Sequence, residues 1–68
     1  MKWFRLALWF RQVGGRVIKI DESAVEAKDS LEAAEEYASA IGLAGYAWKS
    51  NGSNEGNTVF IIRNETAE

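Results

Sequence analysis

Residues 3–11 alternate with a period of two, and that pattern restricts what the chain can fold into more than any other feature. Phe4, Leu6, Leu8 and Phe10 hold the even positions, while Trp3, Arg5, Ala7, Trp9 and Arg11 hold the odd ones. Side chains on a strand point to opposite faces in turn, so the run reads as a strand with one apolar face and one aromatic-basic face. A helix would set Arg11 beside Phe4 and mix the two sets. Residues 16–21 repeat the alternation, with Ile18 and Ile20 on one side and Val17 and Lys19 on the other. Gly14-Gly15 lies between the runs. A two-residue loop would pair Phe10 with Lys19 and scramble the faces. A three-residue loop Val13-Gly14-Gly15 pairs Phe10 with Ile18 and Leu8 with Ile20, with Gly15 in the left-handed bulge position. It also sets Trp9 opposite Lys19, a cation–π neighbour pair. Residues 1–21 are therefore expected to form a hairpin.

Charge changes sign along the chain. Residues 1–20 carry Lys2, Arg5, Arg11, Arg16 and Lys19 and no acid, whereas residues 21–40 carry seven acids against Lys28, and the net charge of −2 hides both. Such asymmetry marks a charged binding surface, or simply a strand followed by a solvated helix. Two capping boxes compete in the acidic part, Ser23-Ala24-Val25-Glu26 and Asp29-Ser30-Leu31-Glu32. Alanine richness favours the earlier start. A turn at Asp21-Glu22-Ser23 leading into a short edge strand over 24–28 favours the later one, which is adopted here: turn or short strand over 22–29, helix over 30–41. Leu31, Ala34, Ala38 and Ile41 then form the buried stripe with Tyr37 beside them, Glu32, Glu35, Glu36 and Ser39 face away, and Gly42 ends the helix.

A closing hairpin is expected over 43–63. Residues 43–50 place Tyr46 and Trp48 on one side of a strand, and residues 58–63 are apolar on both faces, as an inner strand would be. The polar stretch 51–57 between them reads as a mobile loop, and 64–68 as a frayed tail. The expected fold is α+β, a single domain with an antiparallel sheet of four strands, or five if 24–28 is one, and one helix packed on one face. The covered side takes Phe4, Leu6, Leu8, Phe10, Ile18, Ile20, Phe60 and Ile62. The other side collects Trp3, Arg5, Trp9, Arg11, Lys19, Arg63, Val17, Val59 and Ile61, with no element left to cover it.

Composition excludes most chemistry. With no Cys and no His in 68 residues, there is no thiolate nucleophile, no Ser-His pair and no zinc or haem site of the usual ligand types. Most acids lie close together on the helix and its approach, which suits a solvated face better than a carboxylate pair opposed across a cleft. Gly14-Gly15 lacks the rest of a phosphate loop. Asn51, Ser53 and Glu55 imitate the start of a calcium loop, but its twelfth position is Ile62, where a bidentate Glu is needed. No catalytic residue, cofactor or metal is therefore expected. The apolar run 6–10 is too short for a secretory signal, and no membrane-length run exists, so a cytoplasmic protein is expected and the triplets at Asn51 and Asn64 read as accidental rather than glycosylated.

What remains is binding. Trp and Arg are the residue types concentrated at interface hot spots, so Trp3, Arg5, Trp9, Arg11, Lys19 and Arg63 form the expected partner surface, with Glu32, Glu35 and Glu36 as a second, acidic one. Two alternatives use the same bare face. In one, single-stranded nucleic acid stacks on Trp3 and Trp9. In the other, a second copy buries the face, an attractive support for a small chain without disulfide or metal. The order of a basic-aromatic hairpin, residues 25–34 (VEAKDSLEAA) leading into a helix, and a closing hairpin resembles that of small phage-encoded inhibitors, including some anti-CRISPR proteins. The resemblance spans nearly the whole chain at the level of architecture. It implies action without catalysis, by occluding a host effector complex with a charged face or with an acidic helix that imitates nucleic acid.

Overall fold

Strand β1 (Lys2–Arg11) is the middle of a three-stranded antiparallel sheet, flanked by β2 (Val17–Ala27) and β3 (Phe60–Asn64) in the order β2-β1-β3. A single helix, α1 (Ser30–Ala40), packs on one face. The computed structural model describes residues 1–56 and 58–67, and Asn57 and Glu68, within the expected loop and tail, lie outside them. The α+β class with one helix matches the sequence expectation; the strand count is three, not four or five.

The first hairpin closes through a three-residue loop: the Gln12 amide donates to Arg16 O at 2.7 Å and the Gly15 amide to Gln12 O at 3.0 Å. Phe10 pairs with Ile18 and Trp9 with Lys19. The next pair departs from expectation. Leu8 faces Asp21, not Ile20, because a bulge interrupts the ladder and leaves Ile20 unpaired and 49% exposed. The slip has a clear gain. Without it, Glu22, Ala24 and Glu26 would share the helix side with Leu6 and Phe4. With it, Val25 and Ala27 do, and Ala27 is fully buried in the core. The segment 22–29 is thus no turn. It continues β2 to Ala27 as an edge strand.

Helix α1 starts at the second capping box. Asp29 is extended at φ −150° and its carboxylate accepts the Glu32 amide at 2.8 Å, while the Glu32 carboxylate accepts the Lys28 amide at 3.2 Å. Asp29→Ala should remove about 1 kcal/mol of stability, read as a lowered midpoint in urea with an unchanged slope. At the far end the Leu43 amide donates to Ala38 O and the Gly42 amide to Ser39 O, with Gly42 at φ +81°. This pattern turns the chain back and directs Leu43 toward the core. Leu6, Leu8, Ala27, Ala33, Ala34, Tyr37, Ala38 and Ile62 form that core. The Tyr37 hydroxyl donates to the Asp21 carboxylate at 2.5 Å, and burial, then this bond, push the phenol above its usual range. The small Ala33, Ala34 and Ala38 let the helix approach the sheet closely.

Residues 43–50 form no strand. Gly42 and Gly45, at φ +81° and +100°, break any extended run, and Leu43 and Trp48 reach the core from irregular backbone while Tyr46 stays exposed. The loop expected to be mobile is docked. Gly52, Ser53 and Asn54 are buried; the Lys49 amide donates to Ser53 O at 2.8 Å, and the Ser30 hydroxyl to Ser50 O at 2.9 Å. Asn54 closes the outer edge of β3: its amide donates to Ile62 O at 3.2 Å, and its side-chain oxygen accepts the Ile62 amide at 2.6 Å. Strand β3 is consequently an edge strand rather than the inner one, with Asn54 in place of a neighbour. Nor are residues 65–67 a frayed tail. The Glu65 amide donates to Arg5 O at 2.7 Å, and the Arg5 amide to the Thr66 hydroxyl at 2.9 Å. No helix among the described residues is long and apolar enough to cross a membrane.

Candidate functional site

The sheet face opposite the helix is the one on which the sequence gathers Trp and positive charge. Ala7 sits at its centre and is fully buried although no element lies over it. The register explains this: Ala7 faces Glu22 on β2 and Arg63 on β3, two long side chains beside a methyl group. Their stems fold over the gap that Ala7 leaves. Next along β1, Trp9 lies between Lys19 and Ile61, and Ile61 is only 1% exposed.

Trp9 is half-buried and held by three charged neighbours. The Lys19 ammonium stands 5.4 Å from the ring centroid and the Arg63 guanidinium 5.2 Å, both within cation–π range. The indole N–H donates to the Glu65 carboxylate at 2.9 Å. The other Glu65 oxygen lies 2.9 Å from Lys19 Nζ, which also donates to Glu22 at 2.9 Å. Glu22 in turn pairs with Arg5, and Arg63 Nε pairs with Glu55 at 2.6 Å. Lys19 is held above its ordinary pKa by its hydrogen bond to Glu22, then by that to Glu65. The Glu22 carboxyl is held below its own by Lys19, then by Arg5. These groups are exposed, so solvent screens each pair and their worth lies in fixing the geometry around Trp9.

Of the six residues expected to form one surface, the structure brings Arg5, Trp9, Lys19 and Arg63 into this network. Trp3 and Arg11 lie towards opposite ends of β1. The expected bare basic face is covered by its own side chains around Ala7 and Ile61. Its three central cations, Arg5, Lys19 and Arg63, are each paired with a carboxylate. Glu22, Glu55 and Glu65 are the residues that sequence reasoning missed. The bulge places Glu22 on this face, and a regular ladder would not; nothing local in the sequence announces Glu55 or Glu65.

Trp3 is different. It is 64% exposed and borders a shallow groove of about 250 Å³ lined also by Phe4, Arg5, Ala24, Thr66 and Ala67. The small side chains of Ala24 and Ala67 keep the groove open beside the indole, and the docked 65–67 segment forms one wall. A larger groove of about 500 Å³, lined by Tyr46, Ala47, Asn54, Gly56 and Thr58, carries no acidic or basic side chain among the described residues. Of the acidic set, Glu32 is half-buried and engaged in the helix cap, whereas Glu35 and Glu36 are exposed on α1. Among the described residues no group of three or more carboxylates is placed to hold a metal ion. No protein-family profile, no curated protein and no solved structure matches this chain.

Proposed function

We propose that the protein is a non-catalytic binding protein that recognises a protein or nucleoprotein partner through the Trp3 end of its open sheet face. The observation that carries this reading is a Trp left 64% exposed beside an Arg and a preformed groove, in a fold that encloses its other sheet-face Trp. Burying such an indole against a partner removes a large apolar area from water, and its N–H stays available to an acceptor. Arg5 at the groove is paired with Glu22, and the 65–67 wall is tied to the Arg5 backbone, so little ordering is needed on binding. A phage or mobile-element inhibitor of a host defence complex is the form of this reading that the sequence resemblance suggests, although the closing hairpin that carried part of that resemblance is a single strand, β3. Single-stranded nucleic acid fits less well, because Arg5, Lys19 and Arg63 would have to leave carboxylates to meet phosphates.

Trp3→Ala is expected to leave the thermal midpoint nearly unchanged, since the side chain contributes little to the core. It should weaken partner binding about 30-fold or more, the loss typical of an interface anchor. Calorimetric titration of the partner recovered by crosslinking would measure both variants. Equal affinity of Trp3→Ala and the native chain would refute the assignment.

A further inference from the structure

Asn54 closes the edge of β3 and has one polar group left over. Its backbone amide donates to Ile62 O at 3.2 Å, and its side-chain Oδ1 accepts the Ile62 amide at 2.6 Å. Because the Ile62 N–H can only donate, that bond fixes which end of the carboxamide is oxygen and which is nitrogen. The Nδ2 end is therefore turned away from the Ile62 bond. Asn54 is only 4% exposed, and Nδ2 is buried with no hydrogen-bond partner among the described residues. Nearly all buried polar atoms of folded proteins are paired, so a donor orphaned in this way calls for an acceptor.

Asn54 lines the groove of about 500 Å³ that Tyr46, Ala47, Gly56 and Thr58 complete. Small-molecule sites span roughly 300–1,000 Å³, so the size suits one. Tyr46 is 40% exposed and offers a flat aromatic surface. Ala47 and Gly56 add little bulk, and a carbon added at Gly56 would meet nothing within 4 Å. The described lining residues include no acid or base, so an ionised ligand would lose hydration without gaining a counter-charge. Nδ2 can only donate, so the ligand has to bring an acceptor. We infer that this groove binds a small uncharged molecule joining a carbonyl to a flat ring, the carbonyl accepting from Asn54 Nδ2 and the ring lying on Tyr46. The two bonds to Ile62 hold the carboxamide in place beforehand, so the donor loses little freedom when a ligand arrives. None of these lining residues borders the Trp3 groove, and the two sites stand or fall separately.

Benzamide is the simplest molecule of this chemistry and serves as the probe. In an NMR titration of the isotope-labelled native chain, the Asn54 side-chain amide and the Tyr46 and Thr58 backbone amides should shift saturably. A Kd of about 1–10 mM is expected for so small a ligand. Toluene, which keeps the ring and lacks an acceptor, and benzoate, which is ionised at neutral pH, should each bind about fivefold more weakly or worse. Tyr46→Ala, at an exposed position on irregular backbone, should stay folded by circular dichroism and bind benzamide about fivefold more weakly. Asn54→Asp keeps the acceptor for Ile62 and removes the donor, and should weaken binding about tenfold. If that variant fails to fold, the toluene comparison puts the same question to the ligand. No saturable shift by about 20 mM benzamide, an Asn54 side-chain amide that does not move, or equal affinity for toluene, for benzoate or in Tyr46→Ala would each overturn the inference.

Discussion

Trp9→Ala should lower the stability of the fold by about 3 kcal/mol, at the lower end of the range for Trp truncation because the ring is half-buried. The loss has several sources. The indole covers Ile61, anchors the stems of Lys19 and Arg63, and gives Glu65 its hydrogen-bond donor. Removing it opens Ile61 and Ala7 to water and leaves three charged side chains without a common support. For a chain this size, whose whole stability is of order 3–10 kcal/mol, that is a large fraction. The melting midpoint should fall by roughly 12–24 °C. Trp9→Phe restores much of the cover and loses the Glu65 bond, so its loss should be about 1 kcal/mol. A Trp9→Ala chain that melts within a few degrees of the native one would show that the ring is ornamental to the fold. The contrast with Trp3→Ala separates the two tryptophans: one maintains the face, the other is offered by it.

Gly52→Ala should be nearly as damaging, at about 3 kcal/mol, although it adds a single methyl group. Gly52 has φ +76°, and a Cβ there would lie 2.7 Å from the Ser30 carbonyl oxygen. The left-handed backbone alone costs an L-residue about 1 kcal/mol or more. The clash adds to it, because the obstacle is backbone at the first turn of α1 and cannot rotate away. Relief requires the loop to back off the helix, which would break the bond from the Ser30 hydroxyl to Ser50 O and strain the link from Asn54 to Ile62. Gly14→Ala is the control: its φ is +98°, with nothing within 4 Å of the added carbon. Only the conformational part should appear there, about 1 kcal/mol. Denaturant melts showing equal losses at both positions would mean that the loop does not press on the helix.

The legible parts of the fold are those where local chemistry and tertiary packing agree. Alternation over residues 3–11 and the Gly14-Gly15 pair were enough to place Phe10 against Ile18 and Trp9 against Lys19. The box at Asp29 and the glycine at position 42 were enough to bound the helix. What could not be read is the bulge at Ile20, because one unpaired residue leaves no mark on composition. Its consequences were large: it put Val25 and Ala27 into the core and turned Glu22 toward Lys19 and Arg5.

The strand at 58–63 misled for another reason. It is apolar on both faces, and an inner strand is the usual cause, but here Ile61 is covered by Trp9 of the neighbouring strand rather than by another layer. Residues 43–50 misled because Leu43 and Trp48 can reach the core without extended backbone. Within the candidate site, the residue types on the aromatic-basic face were legible, whereas its neutrality was not. That neutrality depends on Glu55 and Glu65, which are brought to the face only by the closing of the chain.

The most direct test of the binding account is site-specific photo-crosslinking in cells of the organism that encodes the chain. A photoreactive phenylalanine derivative would replace Trp3 in one variant and exposed Val13, at the hairpin tip, in another. The account predicts a discrete heterologous adduct from position 3, competed away by excess native protein and weak or absent from position 13. No competable adduct from position 3, or the same adducts from both positions, would contradict it.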